Sequence, residues 1–185
     1  MLSGSADPPG RGRPTRTSMT DLTILSETPG DAAAIERLNE RAFGPGRLAK
    51  SAYRLRERIG QRPAVAFSAR VGTLLVGSVR LWPVEIGDTA ALLLGPLTVE
   101  PAFRERGIGY ALMERSLAAA KTAGHRLVVL VGDEPYYRRS GFKPVPRGRV
   151  IMPGPVDPAR LLVCELIDGA FEGVSGAIRP ASPAA

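Results

Sequence analysis

The sequence predicts an α+β fold in which a mostly antiparallel mixed sheet of about six to seven strands is flanked by about four helices. The order of the predicted elements is one reason, because the strands cluster in the middle of the chain and do not alternate strictly with helices. Glycine-containing pairs at the joins between those strands are another, since such pairs are typical of antiparallel hairpins. A hydrophobic content of 44% over 185 residues suffices for one domain with its own core.

Apolar runs and alternation predict the strands. The first alternates apolar and polar residues from Asp21 to Ser26, and residues 126–131 read RLVVLV, which is typical of a buried strand. Gly72-Thr73 and Gly87-Asp88 separate three strands in the middle of the chain. The predicted strands cover residues 21–26, 64–71, 74–84, 89–99, 126–131, 142–145 and 161–166.

Apolar residues at helical spacing predict the helices. Asp31 is expected to cap the first, in which Ile35, Leu38 and Phe43 share one face. Gly141 follows the last at a position typical of a helix C-terminus. The predicted helices cover residues 31–43, 47–59, 107–124 and 134–140.

The ends of the chain differ in composition from the middle. Residues 1–18 are rich in Gly, Pro, Ser and Arg, and they carry too few apolar groups to offset the entropy of ordering, so we expect disorder there. We expect a single domain over residues 19–178 and a loose tail over 179–185. No apolar run reaches the roughly 18 residues of a membrane span, and residues 1–18 lack the apolar core of a secretory signal. These observations predict a cytoplasmic protein without a membrane partner.

Composition also limits the function classes. A net charge of +7 attracts polyanions, which include phosphate-bearing cofactors. Aromatic residues make up only 5% of the chain and are not interleaved with the arginines, so we expect no nucleic-acid partner. One cysteine and one histidine cannot build a zinc site of the usual kind, and no clustered Asp/Glu pattern suggests another metal. We therefore expect no metal.

The segment RERGIG, residues 104–109, follows a predicted strand and opens a predicted helix. The first turn of a helix leaves its N–H groups unpaired at the positive end of the macrodipole, where phosphate binds well. Gly107 and Gly109 lack the Cβ atoms that would block close approach to the backbone. Arg104 and Arg106 add charged, fork-shaped donors. This segment is therefore predicted to bind phosphate.

Three phosphate-binding motifs compete for this segment. The dinucleotide fingerprint needs a third small residue where Leu112 stands, and the nucleoside triphosphate loop needs a lysine where Tyr110 stands. The third motif is Arg/Gln-x-x-Gly-x-Gly/Ala after a strand, and residues 104–109 match it throughout.

With this loop, the chain resembles the GNAT superfamily of N-acetyltransferases, and within it the YhbS-like predicted bacterial acetyltransferases. Residues 94–99, LGPLTV, are similar to the family's fourth strand. Residues 136–142, YYRRSGF, are similar to its Tyr-x-x-x-Gly-Phe signature. The resemblance covers about residues 21–167.

The resemblance implies an acetyl-coenzyme A-dependent transfer of an acetyl group to a primary amine of a small molecule or protein, by direct attack in a ternary complex. It implies that the backbone of one strand polarises the acetyl carbonyl and pairs with the pantetheine arm, and that the turn before the helix binds the pyrophosphate. The implied cofactor-binding residues are Leu97, Thr98 and Val99 on the strand and Arg104, Arg106, Gly107, Ile108, Gly109 and Tyr110 at the turn.

The resemblance assigns the general acid to Tyr137, four residues before Gly141, because the departing thiolate needs a proton. Tyr136 is the fallback. The general base stays open between Asp133, Glu134, Glu85 and water.

Two further questions concern residues outside this motif set. Cys164 lies in the apolar run LLVCEL, where burial keeps a thiol inert, so a route through an acetyl-cysteine is not expected. The predicted helices over residues 31–59 shape the acceptor pocket in this family, and their positive charges suit an acidic acceptor or a solvated surface equally. Those charges are carried by Arg47, Lys50, Arg54, Arg56 and Arg58.

Two alternatives remain beside the enzyme. One is a non-catalytic acyl-coenzyme A sensor that regulates a partner. The other is a nucleic-acid-binding module that uses the basic surface, which the low aromatic content disfavours. A homodimer is also left open, and the acceptor amine is not identified by the sequence.

Overall fold

The computed structural model describes residues 22–44, 52, 55–56, 58–59 and 62–181. Three α-helices lie in this part of the chain, namely α1 (Ala32–Phe43), α2 (Ile108–Thr122) and α3 (Glu134–Tyr137). Nine strands accompany them: β1 (Leu22–Ser26), β2 (Val65–Val71), β3 (Leu74–Ile86), β4 (Thr89–Val99), β5 (Leu127–Val131), β6 (Lys143–Pro144), β7 (Val150–Ile151), β8 (Leu161–Glu165) and β9 (Gly176–Pro180).

The main path of the sheet runs β1-β2-β3-β4-β5-β8-β6. Neighbours on this path are antiparallel except β4 and β5, which are parallel. The short β9 pairs with the far end of β3, and β7 pairs with β9. The predicted α+β class with a mostly antiparallel mixed sheet is confirmed.

Two strands were missed by the sequence analysis, which accounts for nine strands in the described residues where six or seven were expected. The predicted loose tail begins at residue 179, but Arg179 and Pro180 belong to β9 and pair with Glu85 and Val84. Ile178 is buried, and the Arg179 guanidinium lies 2.9 Å from a Glu85 carboxylate oxygen. These strands carry little local signal, because a distant part of the chain stabilises them.

The predicted helix over residues 47–59 lies mostly outside the described residues. Ala52, Leu55 and Arg56 are helical, and Leu55 is buried in the core. Arg47, Lys50 and Arg54 fall among the residues that the structure does not describe.

Helices cover both faces of the sheet. A Cβ at Gly77 of β3 would meet Ile108 and Leu112, so this side of β3 faces α2. The next residue, Ser78, points to the opposite face, because side chains alternate along a strand. Ser78 is paired with Thr98 of β4, whose hydroxyl bonds to Asn39 of α1, so α1 covers that second face.

A buried carboxylate lies immediately before α1. Asp31 accepts hydrogen bonds from the backbone N–H and the hydroxyl of Thr28, at 2.9 and 3.0 Å, and forms an ion pair with Arg70 of β2. The pKa of Asp31 lies below its ordinary value of 3.8. The hydrogen bond from the Thr28 backbone lowers it most, and the Thr28 hydroxyl and Arg70 lower it further, whereas burial acts in the opposite direction. This pattern is a capping box of the 3-10 turn Pro29–Asp31, with Thr28 as the N-cap, and it ties that turn to the sheet. The prediction that the Asp31 side chain caps α1 is wrong, because this carboxylate bonds back to Thr28 and to Arg70 and makes no cap bond to α1.

Asp31→Asn is expected to lower the free energy of unfolding by about 1.5 kcal/mol at pH 7, because hydrogen bonds to a charged group are lost. The carboxylate has a lowered pKa in the folded state, so its contribution is present above the unfolded pKa and disappears as the pH falls through the folded one. Urea unfolding of both proteins at pH 7 and at steps below about pH 4 measures the difference.

The control is Asp168→Asn, since Asp168 is exposed and makes no hydrogen bond or ion pair within the described part of the chain. A stability difference for Asp31→Asn that is the same at every pH would contradict the assignment.

Candidate active site

The site is built where β4 and β5 separate. The two strands are paired only at Leu92 with Val128 and at Leu93 with Val129. Beyond Leu93, β4 continues for six more residues without a β5 partner. The β4 edge that faces β5 is therefore open to an extended ligand, as strand addition requires.

A bulge in β4 lies at the point of separation. Leu81 of β3 is opposite Leu94, and Val79 is opposite Leu97, so Gly95 and Pro96 together face one residue of β3. A bulge bends its strand, and Gly95 has a φ of 134°, which favours glycine. The Trp82 indole N–H donates to the Gly95 carbonyl at 2.8 Å and holds the bulge in place.

One cavity, here called the α2 cleft, has a volume of about 560 Å³. It runs from the open part of β4 to the N-terminus of α2. All the predicted cofactor residues except Arg106 line it. The described lining consists of Ala42, Phe43, Leu97, Thr98, Val99, Phe103, Arg104, Glu105, Gly107, Ile108, Gly109, Tyr110, Tyr136, Tyr137 and Arg139.

Arg106 lies beside the α2 cleft, over the ring of the lining residue Phe103, and its role in cofactor binding stays a prediction. Its guanidinium carbon is 5.0 Å from the centre of the Phe103 ring, and the residue is not part of the described lining of the α2 cleft. Arg139 was not singled out by the sequence analysis, although it belongs to the quoted YYRRSGF segment. It lines the cleft with its guanidinium carbon 5.8 Å from the centre of the Tyr110 ring.

The two glycines of the motif are required for different reasons. Gly107 is the N-cap of α2 and has a φ of 78°, so a side chain there is strained. A Cβ at Gly107 would meet no atom of the described residues within 4 Å, so its backbone conformation and not a close contact in that part of the chain explains the glycine. A Cβ at Gly109 would instead overlap the hydroxyl of Tyr136. The Tyr136 hydroxyl therefore lies beside the unpaired N–H groups at the start of α2.

A second cavity, here called the β4–β5 cavity, has a volume of about 400 Å³. It lies between the diverging ends of β4 and β5. Its described lining is apolar on β4 and β5 and charged on the loops. That lining consists of Asn39, Phe43, Ala52, Arg56, Leu94, Gly95, Pro96, Leu97, Val131, Gly132, Asp133, Tyr137, Pro155, Val156, Asp157 and Arg160.

Tyr137 lies where the two cavities meet. Only Phe43, Leu97 and Tyr137 belong to the described lining of both. The Tyr137 ring is packed edge-on against Tyr136 and Phe142, with ring centres 4.9 and 5.9 Å away. A Cβ at Gly132 would overlap the Tyr137 ring. The absence of a side chain at Gly132 therefore allows this ring to lie against the end of β5. Within the described part of the chain, the Tyr137 hydroxyl makes no hydrogen bond, which leaves it available to a ligand.

The surroundings of Tyr137 keep it protonated. Burial raises its pKa to about 12, and Tyr136 and Asp133 act in the same direction, whereas Arg160 opposes them. Arg160 and Asp133 form an ion pair of 3.2 Å beside it. At neutral pH the phenol is therefore a donor of a hydrogen bond or a proton.

Only one of the three carboxylates named as candidate bases reaches either cavity. Asp133 lines the β4–β5 cavity, with 77% of its side chain exposed. Glu134 bonds to Arg138, and Glu85 pairs with Arg179 of β9, and neither contributes to the described lining. Asp157 and Arg160, at the end of a Pro/Gly-rich stretch, carry no local signal in the sequence that marks them as site residues.

Cys164 lies outside both cavities. Burial raises the pKa of the Cys164 thiol to about 11, with Glu114 and Glu165 acting in the same direction, and the residue lines neither cavity. Among the described residues, no three His, Cys, Asp or Glu side chains come together as metal ligands. In that same part of the chain, no helix has the length and apolar character needed to cross a membrane.

The contact between Gly109 and Tyr136 can be tested by a double-mutant cycle. Alanine is favoured over glycine in a helix by up to about 1 kcal/mol, but in this protein the added methyl group collides with the Tyr136 hydroxyl. We expect Gly109→Ala to stabilise the Tyr136→Phe protein by about 1 kcal/mol more than it stabilises the wild type. Urea unfolding of the four proteins measures this coupling, and equal effects in the two backgrounds would contradict the contact.

Comparison with known proteins agrees with this geometry. Residues 63–144 match the family model described as an acetyltransferase (GNAT) domain. The chain is 30% identical to the N-acetyltransferase YjhQ of Escherichia coli K12 over 118 residues, which are 62% of this chain and 65% of YjhQ. It is 28% identical to the N-acetyltransferase YhbS of the same organism over 159 residues, which are 85% of this chain and 95% of YhbS.

Two solved structures are similar throughout. The crystal structure of E. coli YhbS in complex with CoA has a TM-score of 0.75 and 26% identity, and the match covers 96% of this chain and 94% of that one. A GNAT family acetyltransferase from Brucella melitensis in complex with acetyl-CoA has a TM-score of 0.58 and 29% identity, with coverage of 82% and 98%. The predicted resemblance is confirmed, and the chain carries a GNAT acetyltransferase domain with the fold of that family.

Proposed function

We propose that the protein is an N-acetyltransferase that transfers the acetyl group of acetyl-CoA directly to a primary amine. The α2 cleft takes the donor and the β4–β5 cavity takes the acceptor. The observation that carries this proposal is the meeting of the two cavities at Tyr137, since direct transfer needs both substrates at one point.

The residues of the α2 cleft fit the donor. The first-turn N–H groups of α2 and the cations Arg104 and Arg139 suit a pyrophosphate. The open β4 edge at Leu97, Thr98 and Val99 suits the amide-containing arm, and backbone N–H groups there would polarise the acetyl carbonyl. Arg106 would join the phosphate ligands by leaving the Phe103 ring. The solved YhbS and Brucella proteins were crystallised with CoA and acetyl-CoA, which supports a CoA-type ligand in this fold.

The reaction needs two proton transfers. The amine attacks as the free base, the carbon–sulfur bond breaks, the new amide loses a proton and the thiolate gains one. Tyr137 supplies a proton to the thiolate because its hydroxyl is available at the junction and remains protonated at neutral pH. Asp133 and Asp157 are the carboxylates beside the acceptor in the described lining.

Free-thiol release from acetyl-CoA across a panel of amines and peptides tests the function. Release that depends on an amine supports the enzyme. Tight CoA binding by calorimetry without release from any amine would favour a non-catalytic acyl-CoA sensor.

Tyr137→Phe is expected to lower kcat about 100-fold and leave the dissociation constant of CoA unchanged, because the ring and its packing are retained and only the proton donor is lost. Stopped-time thiol assays and calorimetry measure the two quantities. Since the pKa of Tyr137 is raised to about 12, kcat of the wild type should not fall with rising pH below about pH 10.

The matched control is Tyr136→Phe, which removes the hydroxyl of the adjacent, half-exposed ring. It should retain most of kcat. Turnover that survives Tyr137→Phe and is lost in Tyr136→Phe would transfer the role of the acid to Tyr136.

Arg104→Gln and Arg139→Gln are each expected to weaken CoA binding about ten-fold at low salt, because each removes one cation from the phosphate end of the α2 cleft. The loss should shrink as ionic strength rises, since both arginines are exposed. Calorimetry at two salt concentrations measures it. Arg147→Gln is the control, because Arg147 is also exposed and lies outside the described lining of the cleft. Equal losses in all three variants would show that net charge and not the cleft is responsible.

A further inference from the structure

A buried amide with one unused end faces the β4–β5 cavity. Asn39 of α1 is 3% exposed and belongs to the cavity lining. Its Oδ1 accepts a hydrogen bond of 2.6 Å from the hydroxyl of Thr98, which is 1% exposed. Within the described part of the chain, the Asn39 Nδ2 has no hydrogen-bond partner. The bond to Thr98 fixes the amide, so the N–H donors of Nδ2 are held ready for a group in the cavity.

The group that Nδ2 recognises has to be an oxygen. An amine that attacks a carbonyl needs its lone pair for the new bond and cannot accept a hydrogen bond with it at the same time. The donor lies in the α2 cleft, whose described lining does not include Asn39. An oxygen of the amine substrate, bound in the β4–β5 cavity that Asn39 lines, can accept this bond.

The charged side chains of the same cavity indicate which chemical group carries that oxygen. The Arg56 guanidinium lies against Gly95 in the β4 wall, and a second cation, Arg160, is paired with Asp133. A cation beside an amide donor suits a carboxylate. The carboxylates of Asp133 and Asp157 attract the ammonium form of an amine as it enters. One small molecule in the cavity can therefore lie close to positively and to negatively charged side chains.

The remaining lining is apolar. The cavity has a volume of about 400 Å³, and its apolar lining includes Leu94, Pro96, Val131, Pro155 and Val156. Such a space holds a small molecule with an apolar side chain.

We propose that the acceptor is a free amino acid with an apolar side chain, whose carboxylate accepts hydrogen bonds from Asn39 beside the positive charge of Arg56 while its α-amine attacks the acetyl group. This inference rests on the proposed N-acetyltransferase function. The reaction balances as the acetyl transfer does. A carbon–nitrogen bond forms and a carbon–sulfur bond breaks, and the amine loses one proton while the thiolate gains one. Thr98 acts as a positioning residue, because it reaches the substrate only through Asn39.

A matched pair of acceptors tests the proposal. L-Leucine and 3-methylbutylamine share the side chain and the amine and differ in the carboxylate. Thiol release at saturating acetyl-CoA, with rates expressed per free base, should give leucine a kcat/KM at least ten-fold higher in the wild type. Equal values would overturn the proposal.

Variants at position 39 locate the recognition. Asn39→Leu should raise the KM of leucine at least ten-fold with a smaller change in kcat, and Asn39→Asp should raise it further by repelling the carboxylate. The preference for leucine should shrink in both. Ser78→Ala is the control, because Ser78 is buried opposite Thr98 but does not line the cavity. Equal losses for leucine and 3-methylbutylamine in Asn39→Leu would reduce Asn39 to a structural role and contradict the proposal.

Calorimetry separates this inference from the function on which it rests. L-Leucine is titrated into the CoA-saturated protein, wild type and Asn39→Leu, without any turnover. Binding that is lost in Asn39→Leu supports the carboxylate site even if no amine is acetylated. No binding to the wild type overturns it even if other amines are acetylated.

Discussion

After Leu93, β4 and β5 are no longer paired, and the bulge at Gly95 and Pro96 turns β4 away from its parallel neighbour. Both cavities depend on this separation. It exposes backbone groups of β4 on one side and opens the space between the strand ends on the other. The Trp82 indole holds the bulged carbonyl, so the gap is a fixed part of the sheet and not a frayed end.

In the proposed transfer, the donation of a proton by Tyr137 has a cost. A thiol has a pKa near 8.5, and Tyr137 has one of about 12, so complete transfer of its proton to a thiolate costs on the order of 5 kcal/mol. In that proposal, the proton that the acceptor amine releases would reprotonate the phenolate. Arg160, which lowers the pKa of Tyr137, and Asp133, which raises it, both line the β4–β5 cavity. Tyr137 and this cavity are therefore electrostatically coupled.

The phosphate-binding motif combines two separate requirements that look alike in the sequence. Gly107 is needed for its backbone conformation at the N-cap of α2. Gly109 is needed because Tyr136, some 27 residues later, places its hydroxyl where a Cβ would stand. The YYRRSGF segment thus packs directly on the RERGIG segment, which brings Tyr136 and Tyr137 to the turn that opens α2.

The sequence by itself determined the α+β class, the course of most strands and helices and the glycine-rich turn that opens α2. Local rules suffice there: hairpin glycines, helical spacing of apolar residues and the glycine-rich start of a helix act between near neighbours. Tyr137 was singled out by the resemblance to the acetyltransferase family and not by a local rule, and its role as the acid stays a prediction. Only the tertiary structure decided that β9 returns to pair with β3, that Arg106 lies over Phe103 while Arg139 lines the cleft, and that Asn39 and Thr98 meet across 59 positions of the chain. These contacts join distant segments whose own patterns are weak, so packing and hydrogen bonding across the folded sheet fix them and no local periodicity records them.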